Sequence, residues 1–216
     1  MNILVTGANG MMGTALVNRL KTIQDGRDKT RPGIKVDEIY EYDRGDEDKL
    51  EQYCASASFV FNLAGVNRPK DISEFREGNF GFASTLLDTL RSHNNKAPVM
   101  LSSSLQATLA GRFGTSEYGL SKKAGVDLFF KYGEQTGSPV FVYRFPNMMG
   151  LPDLTTILLY PPLHGRWQTT SRTQSMIRVR LSNWSGSEIS LRACWICWKA
   201  RYVGASIRKP ERFLME

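Results

Sequence analysis

Strands alternate with helices, a glycine-rich turn joins the first strand to the first helix, and polar residues gather where strands end. Together these predict an α/β protein, a Rossmann-like doubly wound parallel sheet. The first strand is Asn2-Ile3-Leu4-Val5-Thr6, short and apolar. Gly7-Ala8-Asn9-Gly10-Met11-Met12-Gly13 is the turn, and Ala15, Leu16 and Leu20 carry helical spacing beyond it. Residues 24–37 are polar and read as a surface loop. Glu38 to Tyr42 is the second strand, tipped by Asp43-Arg44. Phe59 to Ala64 is the third, ending in Gly65, and a helix from about Phe75 to Ser92 follows with Phe82, Leu86, Leu87 and Leu90 on its apolar face. Pro98 to Leu101 runs into Ser102-Ser103-Ser104; a helix spans about Tyr118 to Tyr132, and Val140 to Arg144 is the last strand of the series.

Composition bounds the function. The 216 residues are 41% hydrophobic and 23% charged, enough for a sizeable core. Three Cys exclude a disulfide framework, and His93 and His164 are too far apart to suggest a metal cluster, so no metal is expected. No apolar run reaches the roughly 18 residues of a membrane span, and the N-terminus has no export signal, so no membrane partner and a cytoplasmic location are expected. The net charge of +7 is unevenly spread. Residues 1–150 hold 18 basic and 17 acidic residues, whereas residues 151–216 hold 10 and 4 along with all four Trp. A nearly neutral first part argues against nucleic acid as the partner, and the shift near residue 150 divides the chain in two.

The glycine turn has the strand–turn–helix context of a dinucleotide site. Gly7 permits the tight turn, Gly10 lets the backbone approach a pyrophosphate at the helix N-terminus, and Gly13 lets helix and strand pack closely. At the tip of the second strand, Asp43 suits the ribose hydroxyls of NAD and Arg44 the 2′-phosphate of NADP, so both cofactors stay open. Tyr118 and Lys122 are four apart and share a helix face. A nearby ammonium is expected to lower the phenol's pKa, fitting it to exchange a proton with a carbonyl oxygen as hydride moves. Ser104, just past the fourth strand, is placed to hydrogen-bond the same oxygen.

Thr6-Gly7-x-x-Gly10-x-x-Gly13, Leu63-Ala64-Gly65, Ser102-Ser103-Ser104 and Tyr118-x-x-x-Lys122 resemble the extended short-chain dehydrogenase/reductases, the NAD-dependent epimerase/dehydratase family. Asn62 to Pro69, Leu101 to Ala107 and Tyr143-Arg144-Phe145-Pro146-Asn147 are most similar to the capsular-polysaccharide reductases of the CapF type. That resemblance implies reduction of the 4-keto group of a UDP-2-acetamido-2,6-dideoxy-hexose with NADPH, and a homodimer joined through a helix pair. It implies Tyr118 as acid/base, Lys122 as its tuner and ribose contact, and Ser104 as carbonyl polariser with Ser103 second. The dinucleotide would be lined by Gly7, Asn9, Gly10, Met11, Met12, Gly13, Asp43, Arg44, Leu63, Ala64, Gly65, Asn79, Ser102, Tyr118, Lys122 and Phe145. The UDP-sugar would be met by Ser103, Arg144 and Asn147. Two departures stand out: a short gap between Ser104 and Tyr118, and Asp43 if the cofactor is NADPH. The alternatives are a UDP-sugar 4-epimerase or dehydratase, and a non-catalytic dinucleotide sensor. Leu105-Gln106, where dehydratases carry Asp-Glu, argues against the dehydratase, and the intact Tyr/Lys pair argues against the sensor.

After Gly150 the resemblance stops, and the substrate subdomain it implies is largely missing. Residues 151–216 are basic, Ser/Thr-rich and weakly periodic, with a lone Cys194-x-x-Cys197 that cannot complete a zinc site. The genetic code offers an explanation. If each codon begins at the third base of the present one, Ala193 to Lys199 becomes (Met/Leu/Val)-Leu-Asp-(Leu/Met)-Leu-Glu, an amphipathic helical pattern. Thr155 to Leu163 can become Tyr-Asn-Ser-Ala-Val-Ser-Thr-Phe, and Met176-Ile177 must give Asp. These fragments resemble the missing family segment. The expectation is a frame change between about Gly150 and Thr155, a poorly structured tail and impaired turnover.

Overall fold

In the computed structural model the described residues are 1–30, 33–66, 69–145, 147–150, 157–160 and 213–215. β1 (Asn2–Thr6) is the centre from which the chain winds both ways. α1 (Met11–Gln24) carries it to β2 (Glu38–Tyr42) on one side of β1. A short 3-10 turn and α2 (Leu50–Ser56) then return it to β3 (Phe59–Asn62) on the other side. One long helix follows in three parts: α3 (Ser73–Arg76), a π turn (Glu77–Gly81) and α4 (Phe82–Ser92). β4 (Val99–Ser104), α5 (Glu117–Thr136) and β5 (Val140–Phe145) complete the series.

The sheet order is β2-β1-β3-β4-β5, with β8 (Phe213–Met215) added beyond β5, and every pairing is parallel. A separate antiparallel pair joins β6 (Asn147–Gly150) to β7 (Ile157–Tyr160). The predicted doubly wound sheet is therefore present. The order reverses between β1 and β3, which opens a crevice at their carboxyl ends.

Both sheet faces are covered, as parallel sheets require. Alternation along each strand sorts the core into two layers. Ile3, Val5, Phe59, Phe61, Met100 and Phe141 pack with Leu16 and Leu20 of α1. Leu4, Val60, Val99, Leu101 and Val142 pack with Leu86 and Leu90 of α4 and Val126 and Phe129 of α5. Strand residues such as Leu4, Val5 and Val60 have no exposed surface. Among the described residues no helix is long and apolar enough to cross a membrane.

Three elements differ from the sequence reading. α2 was not expected; at seven residues it buries only Leu50 and Cys54, too little for a periodic signal. The π turn interrupts a helix expected to be regular. The third strand ends at Asn62, two residues early, level with the end of its neighbour β1 at Thr6, whose Oγ1 donates to Asn62 Oδ1 at 2.7 Å.

Candidate active site

The glycine turn is fixed by space and by backbone conformation. Gly7 is left-handed, with φ +70°, and a Cβ there would lie 2.8 Å from the Ala64 nitrogen beyond β3. A Cβ on Gly13 would sit 2.0 Å from the Gly7 carbonyl oxygen. α1 opens on Gly10 with no side-chain cap, so its first N–H groups remain available to an anion, as the pyrophosphate of a dinucleotide requires. The cradle therefore fits that group. Asn9 and Met11 are exposed at its rim, and Met12 is half-buried beneath it, its sulfur 3.9 Å from the donating Ser102 hydroxyl.

Asp43, one residue past β2, accepts the Asn9 N–H through Oδ2 at 2.8 Å and the Arg44 N–H through Oδ1 at 2.9 Å. It thus ties the turn to the tip of β2. Arg44 is exposed, and its guanidinium lies 3.9 Å from where a Gly78 Cβ would be.

α5 begins with Ser116, whose hydroxyl accepts the Gly119 N–H at 3.1 Å. That cap starts the helix one residue before Tyr118 and puts the phenol in its first turn. Lys122 lies on the same face, its Nζ 5.8 Å from the Tyr118 ring centroid and 3.4 Å from the Ser102 carbonyl to which it donates. Gly65 makes room for this: a Cβ there would be 2.8 Å from Lys122 Nζ and 2.7 Å from Asn79 Oδ1. Phe75 of α3 flanks the other side of Tyr118, with ring centroids 5.5 Å apart.

The charge state differs from the sequence expectation. Burial raises the Tyr118 phenol above its ordinary value, while the Ser104 hydroxyl pulls it the other way. Burial also lowers the Lys122 ammonium to about 8. Desolvation, which depends on tertiary packing, therefore outweighs the expected lowering of the phenol by the nearby ammonium. At neutral pH the site holds a protonated phenol ready to donate.

The three serines of β4 do not face one way. Ser102 lies on the α1 face, Ser103 alternates to the face of Leu101 and the helices, and Ser104 ends the strand beside Tyr118. Ser104 Oγ also accepts the Gln106 N–H at 3.2 Å. Ser103 is 4% exposed, and its hydroxyl has no hydrogen-bond partner among the described residues. Arg144 is its register neighbour on β5. Phe145 stacks on Tyr143 within the α1-side core, with 7% exposure, rather than lining an open wall. Leu63 packs against the same core, and Ala64 follows it half-buried. The backbone of Asn147 opens β6, but the expected side-chain contact lies outside what is described.

Asn79 sits in the π turn, 7% exposed. Its Oδ1 accepts the Val66 N–H at 2.9 Å, and its Nδ2 donates to the Val66 carbonyl at 3.0 Å and to Ser121 Oγ at 3.1 Å. Both amide hydrogens are thus used inside the protein, where they clamp the loop after β3. Ser121 and Phe75 were not singled out from the sequence; the only signal was Ser121 lying between Tyr118 and Lys122.

These features are shared with known proteins. The model of the NAD dependent epimerase/dehydratase family matches residues 3–156. A UDP-2-acetamido-2,6-beta-L-arabino-hexul-4-ose reductase of Pseudomonas aeruginosa is 36% identical over 151 residues, 69% of this chain and 36% of the relative. The chain thus spans little more than a third of that relative's length. The crystal structure of the capsular polysaccharide assembling protein CapF of Staphylococcus aureus aligns with a TM-score of 0.51 at 36% identity, over 69% of this chain and 37% of that one. A UDP-glucuronic acid 4-epimerase of Bacillus cereus in complex with NAD shares the fold, with a TM-score of 0.52 at 20% identity over 67% of this chain and 56% of that one. With the glycine cradle, the half-buried Tyr118–Lys122 pair and the match over most of its length, the chain belongs to the NAD dependent epimerase/dehydratase family.

Proposed function

We propose that this chain carries the dinucleotide and acid/base half of an NAD(P)-dependent reductase acting on the 4-keto group of a UDP-2-acetamido-2,6-dideoxy-hexose, in surface-polysaccharide precursor synthesis. The observation that carries the reading is a half-buried Tyr118 beside Ser104 at the carboxyl end of β4. The reductase named among its relatives supports the substrate class.

A bound reduced nicotinamide would supply hydride to the carbonyl carbon. Ser104 would donate a hydrogen bond to the carbonyl oxygen, and Tyr118 would give that oxygen its proton as negative charge develops. Lys122 would steady the resulting phenolate and hold the ribose. Phe75 and the loop at Gly65 would exclude water. Reduction needs the acid form first, whereas an epimerase begins by taking a proton from a hydroxyl. The reductase named among the relatives favours the reductase over the epimerase. Arg44 and Asp43 both reach the ribose end of the cradle, so the reading covers NADPH and NADH.

Residues 151–216 belong to the same proposal. They are the relatives' substrate-binding segment read in a shifted frame, and this chain turns over weakly because that segment is lost. The family match ending at residue 156, six residues after the compositional break, supports this. The test is consumption of reduced nicotinamide with the 4-keto sugar nucleotide, by this chain and by a version with one base restored after codon 150. Turnover that appears on restoration and vanishes in Tyr118→Phe is expected. Interconversion of C4 epimers without net cofactor use would replace the reductase by the epimerase.

A further inference from the structure

We infer that Ser121 is a positioning residue: its hydroxyl, held between Asn79 and the Tyr118 carbonyl, locks the first turn of α5 against the π turn so that Tyr118 and Lys122 face the crevice together. The inference rests on the reading of Tyr118 and Lys122 as the acid/base pair. The Ser121 hydroxyl donates to the Tyr118 carbonyl oxygen at 2.9 Å and accepts from Asn79 Nδ2 at 3.1 Å. One oxygen therefore joins the turn that carries the phenol to a side chain 42 residues away.

The geometry around that oxygen is built for close approach. A π turn places one extra residue in a helical turn, and such turns recur at functional sites. Here it brings Asn79 inward, where the amide holds both backbone polar groups of Val66. α5 also lies beside the π turn at Gly125, where a Cβ would make ordinary contact, 3.8 Å from the Asn79 carbonyl oxygen. Gly65 leaves space for both Asn79 and the Lys122 amine. The loop after β3, the π turn and α5 thus meet at one side-chain cluster, with Ser121 as its link to Tyr118. A serine bonded to its own helix carbonyl ordinarily bends or loosens a helix slightly. Bonded on its other side to a buried amide, it fixes the direction of that bend. A shift of under an ångström in the acid's position is enough to change a rate, because the reacting atoms must be aligned.

The alternative is that Ser121 merely satisfies the second Asn79 hydrogen. The two readings separate in the titration of Tyr118, which faces Lys122 from its own helix, Ser104 from β4 and the uncharged Phe75 from α3. The full 216-residue chain, carrying isotope-labelled tyrosine with Tyr118 assigned through Tyr118→Phe, is titrated by nuclear magnetic resonance. Ser121→Ala is expected to move the Tyr118 midpoint down by about half a unit or more as water reaches the loosened turn. Ser121→Thr, which keeps the hydroxyl, is expected to titrate like the parent. Should the alanine variant fail to fold by circular dichroism, Ser121→Cys, a weaker donor of similar size, is expected to give a smaller shift in the same direction. In the frame-restored chain, Ser121→Ala also lowers kcat roughly tenfold with an unchanged KM for the dinucleotide. A Tyr118 midpoint unchanged in Ser121→Ala, or in Ser121→Cys where alanine does not fold, overturns the inference. So does a threonine variant displaced as far as alanine. A chain that consumes no reduced nicotinamide refutes the proposed reaction instead and leaves the titration to decide this point.

Discussion

Lys122 is where stability and chemistry oppose each other. Its ammonium is lowered from an ordinary 10.5 to about 8 because the folded chain strips it of water; among the described residues it donates to the Ser102 carbonyl at 3.4 Å. The sign follows from proton counts. Between about pH 8 and 10.5 the unfolded chain binds the extra proton, so stability rises with pH through that window and the penalty is full below it. Lys122→Met is therefore expected to stabilise the chain at pH 7, on the order of 1–2 kcal/mol, while abolishing turnover. Chemical denaturation at pH 7 and pH 10 checks both magnitude and sign: the gain should shrink at the higher pH. Cys54 shows the same force without a function. Burial pushes its thiol up to about 12, so native alkylation should leave Cys54 unmodified, and labelling should appear only on unfolding, read by peptide mass.

Secondary-structure elements position these residues, and how legible each was depended on sequence distance. The glycine turn was readable because strand, turn and helix lie within 24 residues and each glycine answers to a local demand. Gly13→Val would drive a branched side chain into the Gly7 carbonyl. It is expected to weaken dinucleotide binding at least tenfold, as measured by nicotinamide fluorescence, and to cost more than about 2 kcal/mol of stability. Tyr118 and Lys122 were readable for the same reason, being one helical turn apart. What escaped was tertiary. No composition marks the π turn at Glu77–Gly81, and the Asn79–Ser121 bond joins residues too distant for any periodicity to relate. The direction of the Tyr118 shift escaped likewise, since it depends on how much protein covers the ring. Ser103 stood second to Ser104 in the sequence reading, and strand alternation turns it to the opposite face.

At the scale of the whole molecule, the described sheet places the glycine turn and the Tyr118–Lys122 pair at the carboxyl ends of its central strands, while the resemblance to the relatives ends near residue 156. The doubly wound order was legible because each of the five strands β1 to β5 declares itself in turn. For residues 151–216 the proposal rests on the genetic code. Sequencing the gene from codon 140 onward checks that reading. One missing base that restores the Tyr-Asn-Ser and Leu-Asp-Leu-Leu-Glu segments is expected, and an unbroken frame contradicts it.

The most direct test of the central claim is the consumption of reduced nicotinamide by the frame-restored protein with the 4-keto UDP-sugar, in parallel with its Tyr118→Phe variant. The account predicts stoichiometric reduction by the parent and a loss of about 10²–10⁴-fold in kcat on removing the phenol oxygen. Equal rates with and without that oxygen would contradict it.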